Sequence, residues 1–187
     1  MKKQKIMKEP LDFHTHNLLA DYAFINLPDA WLLHPETAQL RPETRYTAGI
    51  HPWTTDQPEA VKAMLKQLPQ WLHHPQIVAL GECGLDALRG ASLTTQQEIF
   101  VQQIRWAEEL QLPVTLHIVR AFSQLLQLKK QLRPTTQWTV HGFRGKPALA
   151  QQLLQAGIDL SFGTHHNPES WRITPEHRRH RETDNDF

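Results

Sequence analysis

Residues 77–86, IVALGECGLD, form an apolar, β-forming run that contains a single glutamate, Glu82. Four other stretches share the pattern, in which a side chain able to bind metal stands where an extended run ends. They are residues 11–16 (LDFHTH), 114–121 (VTLHIVRA), 139–143 (TVHGF) and 181–184 (RETD). Parallel-barrel enzymes carry their chemistry at the carboxyl ends of their strands. The repeated pattern therefore predicts a parallel sheet that gathers these side chains at one end.

Helical periodicity separates the later extended runs. Leucines and other apolar residues recur at three-to-four spacing in residues 57–73, 95–111, 121–132 and 147–156. Thr95 and Glu98 have the spacing of a capping box for the second of these helices. Strands alternating with helices predict βα units, and so an α/β fold of the TIM-like (β/α) barrel type. Between His16 and Tyr46 the helical signal is weak, which predicts a reduced early βα unit.

Length and composition are those of one globular domain, residues 1–187. The formal net charge is only +1, so any site for a polyanion must be a local basic patch. A single cysteine, Cys83, favours a reducing, cytoplasmic setting. No stretch approaches the ~20 apolar residues of a membrane span, so we expect no membrane partner.

Six residues stand out as candidate metal ligands. Four imidazoles and two carboxylates can hold two divalent ions if one carboxylate bridges them. Glu82 suits the bridging role, because a carboxylate inside an apolar run is costly to bury without a partner. The full candidate set is His14, His16, Glu82, His117, His141 and Asp184.

The motifs together resemble the TatD family of metal-dependent deoxyribonucleases, within the wider amidohydrolase-type barrel superfamily. The matching stretches are DFHTH, GIHPW (residues 49–53), GECGLD, LPVTLHIVRA, VHGF, LSFG and ETD, in the family's order. The resemblance implies that His14, His16, Glu82 and Asp184 hold one ion. It implies that Glu82 bridges to a second ion held by His117 and His141, and that Asp184 takes a proton from the attacking water.

Several residues near these motifs are candidates for contact with substrate. His51, in the GIHPW stretch, could touch a substrate phosphate, and Trp53 could stack on a base. The arginines Arg89, Arg120 and Arg144 follow the catalytic strands closely and have side chains suited to phosphate oxygens. The motif VHGFRG departs from the family's HCFSG, so that Arg144 replaces a small residue.

The resemblance implies a DNase, a 3′–5′ exonuclease type of phosphodiester hydrolase, with DNA (single strands or 3′ ends) as the substrate. Two alternatives stay open at this stage. The same geometry could hydrolyse a small phosphoester, amide or lactone, or the chain could be a shortened, impaired relative. We expect two divalent metal ions. Imidazole-rich ligation does not fix the element, so magnesium, manganese and zinc are all candidates.

The last candidate strand is polar. Residues 177–183, HRRHRET, contain no apolar side chain to face a barrel interior, and the sequence ends three residues after Asp184. We therefore expect an incomplete final βα unit, with residues 177–187 loosely held, Asp184 as the weakest ligand, and self-association that covers an exposed face.

Overall fold

The computed structural model describes residues 12–184. Its eight strands alternate with six α-helices and three short 3₁₀ helices. The strands are β1 (Asp12–Thr15), β2 (Ala23–Asn26), β3 (Arg45–Ala48), β4 (Ile77–Asp86), β5 (Val114–Val119), β6 (Trp138–Val140), β7 (Ile158–Phe162) and β8 (Arg179–Arg181). The helices are α1 (Asp29–Leu33), α2 (Pro58–Leu72), α3 (Leu93–Leu110), α4 (Phe122–Leu132), α5 (Pro147–Gln155) and α6 (Pro168–Ile173).

All eight strands are parallel and pair in chain order, from β1 to β8. The far edges approach each other, because the Asp184 amide donates to the His14 carbonyl at 3.1 Å. Next to it, Thr183 donates through both its amide and its hydroxyl to the Asp12 carboxylate, at 3.0 and 2.7 Å. The sheet is therefore a nearly closed barrel, which confirms the predicted fold class.

The barrel packs around a continuous apolar core. Its largest wholly buried side chains come from strands and helices alike, and include Tyr46, Phe100 and Trp138. Phe100 of α3 packs edge-on against Trp138 of β6, with ring centroids 5.6 Å apart. This core fixes the strands, so the residues at their carboxyl ends have defined positions.

The early part of the barrel is reduced, as the sequence predicts. No helix separates β1 from β2 in the described chain, and α1, between β2 and β3, has only five residues. Among residues 12–184, no helix combines the length and the apolar character that a bilayer span requires.

Residues 177–184 contain an eighth strand, and no helix follows it among the described residues, so the final βα unit is incomplete as the sequence predicts. That these residues are loosely held stays a prediction. Arg179, His180 and Arg181 form β8 and pair with Leu160, Ser161 and Phe162 of β7. Polar side chains replace apolar packing here, because each finds a specific partner. The His180 ring stacks on Phe13 with centroids 4.4 Å apart, and Arg179 and Arg181 each lie 4.2 Å from the Trp171 ring. Residues 185–187 of the same expectation lie outside the described residues.

Candidate metal centre

Glu82 lies in β4, where glycines on both sides allow this strand to approach β5 closely. A Cβ atom at Gly81 would lie 2.5 Å from the Thr115 carbonyl oxygen, and one at Gly84 would lie 2.0 Å from the His117 carbonyl oxygen. Both glycines also adopt positive φ angles, +146° and +147°, which other residues avoid. The glycines of the GECG sequence therefore fix the close β4–β5 pairing that holds Glu82 in place.

One oxygen of Glu82 faces the first strand. Its Oε2 atom lies 3.2 Å from Nε2 of His14 and 3.3 Å from Nε2 of His16. Asp184 Oδ1 lies 3.7 and 3.8 Å from the same two nitrogens. Two imidazoles and two carboxylates thus lie close together at the carboxyl end of β1.

The other oxygen faces β3, β5 and β6. Its Oε1 atom lies 2.7 Å from Nε2 of His141, 2.9 Å from Nδ1 of His117 and 3.2 Å from Nε2 of His51. The two oxygens of one buried carboxylate therefore divide five histidines into two sets.

The close contacts between carboxylates and imidazoles shift the pKa values of these groups. Burial would raise the pKa of Glu82, but the imidazoles, chiefly those of His141 and His14, hold it well below its usual value. Burial would likewise lower the pKa of His141, but the carboxylates of Glu82 and Glu182 raise it well above its usual value. Burial and the neighbouring carboxylates raise the pKa of Asp184 in spite of nearby imidazoles. The raised pKa of His141 favours its protonated ring, and a bound cation could balance the carboxylate charge in its place.

Two further carboxylates stand behind the later histidines. Asp86 Oδ2 lies 3.2 Å from Nε2 of His117, and Glu182 Oε1 lies 3.4 Å from Nδ1 of His141. If each carboxylate accepts the ring proton on its side, the opposite nitrogen offers its lone pair toward Glu82. A metal-binding histidine needs this arrangement.

His51 has the opposite arrangement. Its Nδ1 accepts a hydrogen bond from the backbone N–H of Trp53 at 3.1 Å, so the proton of a neutral ring lies on Nε2. That nitrogen faces Glu82 as a donor rather than as a lone pair. The structure thus sets His51 apart from the other four histidines.

The residues present fit divalent cations. Among the described residues, the buried atoms His14 Nδ1 and His141 Nδ1 make no hydrogen bond, although Glu182 Oε1 lies 3.4 Å from the latter. His14 Nε2 and Glu82 Oε2 make none either, although they lie 3.2 Å apart. Buried polar atoms of this kind are normally satisfied, and a cation between them would satisfy both. Three groups of ligand atoms lie within 4.8 Å of one another: those of His14, His16 and Glu82, those of His51, Glu82 and His117, and those of His14, His141 and Asp184, which join the two sets.

Two glutamine side chains of α3 form hydrogen bonds with the backbone around the cluster. The side chain of Gln103 accepts from the Ile50 amide at 2.7 Å, next to His51. The side chain of Gln96 accepts from the Asp86 amide at 2.7 Å and donates to the carbonyls of Asp86, Arg89 and Ala91. Two buried amides of one helix therefore position two residues of the site.

Two cavities open beside the cluster. The arginine cavity, of about 360 Å³, is lined by His117, His141 and Asp184 together with Arg120, Phe122 and Arg144. The Trp53 cavity, of about 270 Å³, is lined by cluster residues together with Asn26, Pro28, Asp29, Trp53 and Thr54. Each cavity reaches the cluster, so a ligand could extend from it in two directions.

The structure brings together all six candidate metal ligands and adds His51 to them. Arg120 and Arg144 line the arginine cavity, whereas the Arg89 guanidinium lies 4.3 Å from the Trp53 ring and lines neither cavity. Sequence reasoning did not single out Asp86, Glu182 or Asn26, whose side-chain oxygen accepts from the Glu82 amide at 2.8 Å. Asp86 and Glu182 stand inside motifs already recognised, GECGLD and ETD, and that position was an available signal.

Comparison with known proteins agrees with the fold. The family model for TatD-related DNases matches residues 25–185. A 3′-5′ ssDNA/RNA exonuclease TatD from Musicola paradisiaca is 36% identical over 123 residues, or 62% of this chain and 44% of the relative. The TatD exonuclease of Citrobacter rodentium is 36% identical over 132 residues, or 67% of this chain and 48% of the relative.

Solved structures show the same architecture. YJJV, a TatD homolog from Escherichia coli, superposes with a TM-score of 0.75 and 25% identity, over 92% of this chain and 78% of the homolog. The chain belongs to the TatD-related DNase family. It spans less than half the length of the curated relatives that it matches.

Proposed function

We propose that this chain is a divalent-metal-dependent phosphodiesterase that acts on single-stranded nucleic acid from its 3′ end. The observation that carries the proposal is the division of the histidines by the two oxygens of Glu82. A carboxylate with ligands on each oxygen can bridge two ions. The names of the curated relatives, 3′-5′ ssDNA/RNA exonucleases, support the choice of substrate and the direction of attack.

In this proposal the metal ligands form two sets that share Glu82. His14, His16, Glu82 and Asp184 would hold one ion, and Glu82, His117 and His141 would hold the other. Bound divalent ions at such a site lower the pKa of water and neutralise charge on the attacking and leaving oxygens. Magnesium, manganese and zinc are all candidates, since the donors are mixed imidazole and carboxylate.

The protein's own groups then orient the substrate and move protons. Asp184, which lines both cavities, accepts a proton from the attacking water. Water oxygen adds to phosphorus, the bond from phosphorus to the leaving oxygen breaks, and the leaving oxygen takes a proton from solvent. His51 donates its Nε2 proton as a hydrogen bond to a phosphate oxygen, in place of its contact with Glu82.

Nucleic acid is favoured over a small molecule by the open, cationic arginine cavity. Arginine side chains bind phosphate oxygens through paired N–H groups, and Arg120 and Arg144 stand where neighbouring phosphates of a strand could lie. We also propose a reducing, cytoplasmic setting, because the single cysteine, Cys83, is buried and unpaired. Its burial raises the pKa of the thiol well above its usual value, so it is not a nucleophile.

A nuclease assay with purified protein tests the proposal. A single-stranded oligonucleotide should be shortened from its 3′ end with Mg²⁺, Mn²⁺ or Zn²⁺, and a chelator should stop the reaction. Salt should reduce the rate only modestly, because few phosphates are contacted. Cleavage of a small phosphoester or amide, with every oligonucleotide left intact, would support the alternative substrate class. Metal binding without turnover of either would indicate an impaired relative.

A further inference from the structure

The two cavities beside the cluster differ in charge. The arginine cavity carries Arg120 and Arg144, and among the described residues its only carboxylate is that of Asp184. Within residues 12–184 no lysine or arginine lines the Trp53 cavity, which carries the carboxylate of Asp29 in addition to those of Glu82 and Asp184. A ligand that spans the cluster therefore meets cations on one side and an extra anion on the other.

A polynucleotide held by its 3′ end has the same asymmetry. On the 5′ side of the reacting linkage, every further nucleotide brings another phosphate. On the 3′ side lies one nucleoside with no phosphate of its own beyond the reacting one. Complementary charge favours the phosphate-bearing chain at the arginine cavity and the terminal nucleoside in the Trp53 cavity.

The Trp53 cavity has a rigid wall that suits a nucleoside. The indole Nε1 donates to Asp86 at 2.6 Å, and the Arg89 guanidinium lies 4.3 Å from the ring. The side chain is nevertheless 43% exposed, so part of the indole can contact a base or a sugar. Aromatic contacts of this type tolerate different bases.

Asp29 is held in place at the same cavity. Its Oδ2 atom accepts a hydrogen bond from the Thr54 hydroxyl at 2.6 Å, and the side chain is half-buried. A free 3′-hydroxyl can donate to a carboxylate. A 3′-phosphate would instead bring a second negative charge beside Asp29, in a part of the cavity that is lined by no lysine or arginine of the described residues.

We propose that the Trp53 cavity is the site of the 3′-terminal nucleoside and that Asp29 selects ends with a free 3′-hydroxyl over ends with a 3′-phosphate. The inference rests on the proposed nuclease function and deepens it. It assigns Asp29 a specificity role that the metal cluster itself does not supply.

The test compares one oligonucleotide sequence with a 3′-hydroxyl or a 3′-phosphate. The wild-type protein should hydrolyse the hydroxyl form with a kcat/KM at least about tenfold higher. Asp29→Asn keeps an oxygen that can accept from the Thr54 hydroxyl but removes the negative charge. It should raise kcat/KM for the 3′-phosphate oligonucleotide and so reduce the ratio of the two kcat/KM values several-fold. Equal rates for the two ends in the wild type, or an unchanged ratio in Asp29→Asn, would overturn the proposal.

Two controls separate local from general electrostatics. Asp56→Asn makes the same change of net charge at an exposed residue that lines neither cavity, and it should leave the ratio unchanged. Arg144→Ser removes a cation from the arginine cavity, and it should lower kcat/KM by the same factor for both oligonucleotides. A shift in the ratio with Asp56→Asn as large as that with Asp29→Asn would assign the preference to net charge and overturn the role of Asp29.

Binding distinguishes failure of the inference from failure of the proposed function. Fluorescence anisotropy in chelator measures affinity for the two oligonucleotides without turnover. If no oligonucleotide is hydrolysed with any metal, the nuclease proposal fails. A binding preference for the 3′-hydroxyl that Asp29→Asn narrows would still support the cavity assignment, and its absence would overturn that assignment as well.

Discussion

Glu82 faces histidines through both of its oxygens, at distances of 2.7 to 3.3 Å. Its backbone amide is fixed as well, because it donates to the Asn26 side chain at 2.8 Å. The position of this carboxylate is thus determined from several directions. Its removal should therefore affect both halves of the cluster, whereas removal of one histidine should affect mainly one half.

We expect Glu82→Ala to abolish binding of both ions, because like charges would then face each other with no shared anion between them. Elemental analysis after dialysis should find metal close to zero in this variant. His141→Ala should empty one position first and leave the other partly filled. Two ions per chain in Glu82→Ala would contradict the bridging role, provided that circular dichroism shows both variants folded.

Asp86 and Glu182 should control metal affinity through the histidines that they contact. We expect Asp86→Asn and Glu182→Gln each to weaken metal binding by roughly 10- to 100-fold, as loss of such supporting carboxylates typically does. Competition with a fluorescent chelator measures the affinity. Nitrogen chemical shifts of the His117 ring in the metal-free protein should show a changed tautomer in Asp86→Asn.

A matched control for these variants is Asp159→Asn. Asp159 is also a buried acid, but it lies near the start of β7 and pairs with Arg178 at 2.5 Å. Its replacement should lower stability and leave metal affinity unchanged. Equal loss of affinity in all three variants would indicate a general effect of destabilisation rather than support of the histidines.

At the scale of single residues, the sequence allowed the cluster to be predicted because its members follow β-forming runs. Parallel strands of one barrel end together, so position along each run was enough to bring His14, Glu82 and His141 into one site. Asp29 and Asn26 could not be found in this way. They lie around the end of β2, in the stretch where sequence signals are weakest, and their roles depend on contacts with Thr54 and Glu82 that no local pattern encodes.

Among the elements, α3 connects the core with the site and with the start of β6. Its N-terminus is capped by Ser92, whose hydroxyl accepts from the Thr95 amide at 3.3 Å, so the predicted capping box at Thr95 and Glu98 is wrong. Ser92 precedes Thr95 by three residues and satisfies the free amides of the first turn earlier. The spacing of apolar residues predicted the helix correctly, but it could not decide whether Ser92 or Thr95 is the N-cap residue.

The C-terminal part of α3 carries Glu108, which binds the loop that leads into β6. Its carboxylate accepts from the amides of Thr135 and Thr136 at 2.8 and 2.9 Å and from both threonine hydroxyls. Burial would raise the pKa of Glu108, but these hydrogen bonds lower it to about 2. The charged form is therefore favoured in the folded protein.

This shift predicts an acid-sensitive contribution to stability. Because the folded pKa of Glu108 lies below its usual value of 4.5, the contribution is complete above about pH 4.5 and is lost as pH falls toward about 2. We expect Glu108→Gln to cost about 1 kcal/mol near pH 6, since water screens this half-exposed group, and little near pH 2. Urea unfolding of the metal-free protein at both pH values measures it. The exposed neighbour Glu109→Gln should show no such pH-dependent difference.

For the whole molecule, the question raised by the sequence was how a polar strand could complete a barrel. An apolar pattern could not indicate β8, because its stabilising contacts come from distant elements. Glu182, which follows it, is buried and accepts hydrogen bonds from the Ser161 hydroxyl and from the Gly142 amide at 2.6 Å. These partners belong to β7 and to the loop after β6. Self-association, expected from a loose end, stays a prediction that analytical ultracentrifugation can test.

Hydrogen exchange tests the closed form of the barrel directly. The Glu182 amide donates to the Phe162 carbonyl at 3.1 Å, and the Asp184 amide donates to the His14 carbonyl at 3.1 Å. Both amides should therefore exchange slowly, with protection close to that of the central strands, because they open only when β8 leaves the sheet. Metal should increase the protection of Asp184 further, since a ligand that binds only the folded state stabilises it.

Ser161→Ala provides a specific perturbation of this closure. It leaves β7 intact but removes the hydroxyl that donates to buried Glu182, which costs about 1–3 kcal/mol where an acceptor stays buried without its partner. Exchange should quicken at Glu182 and Asp184 more than in β4 or β5. Rapid exchange of both amides in the wild-type, metal-loaded monomer would instead show a barrel that is open between β8 and β1. In that case Asp184 would reach the metal only while the barrel is closed between β8 and β1, and metal affinity should depend on how often it is closed.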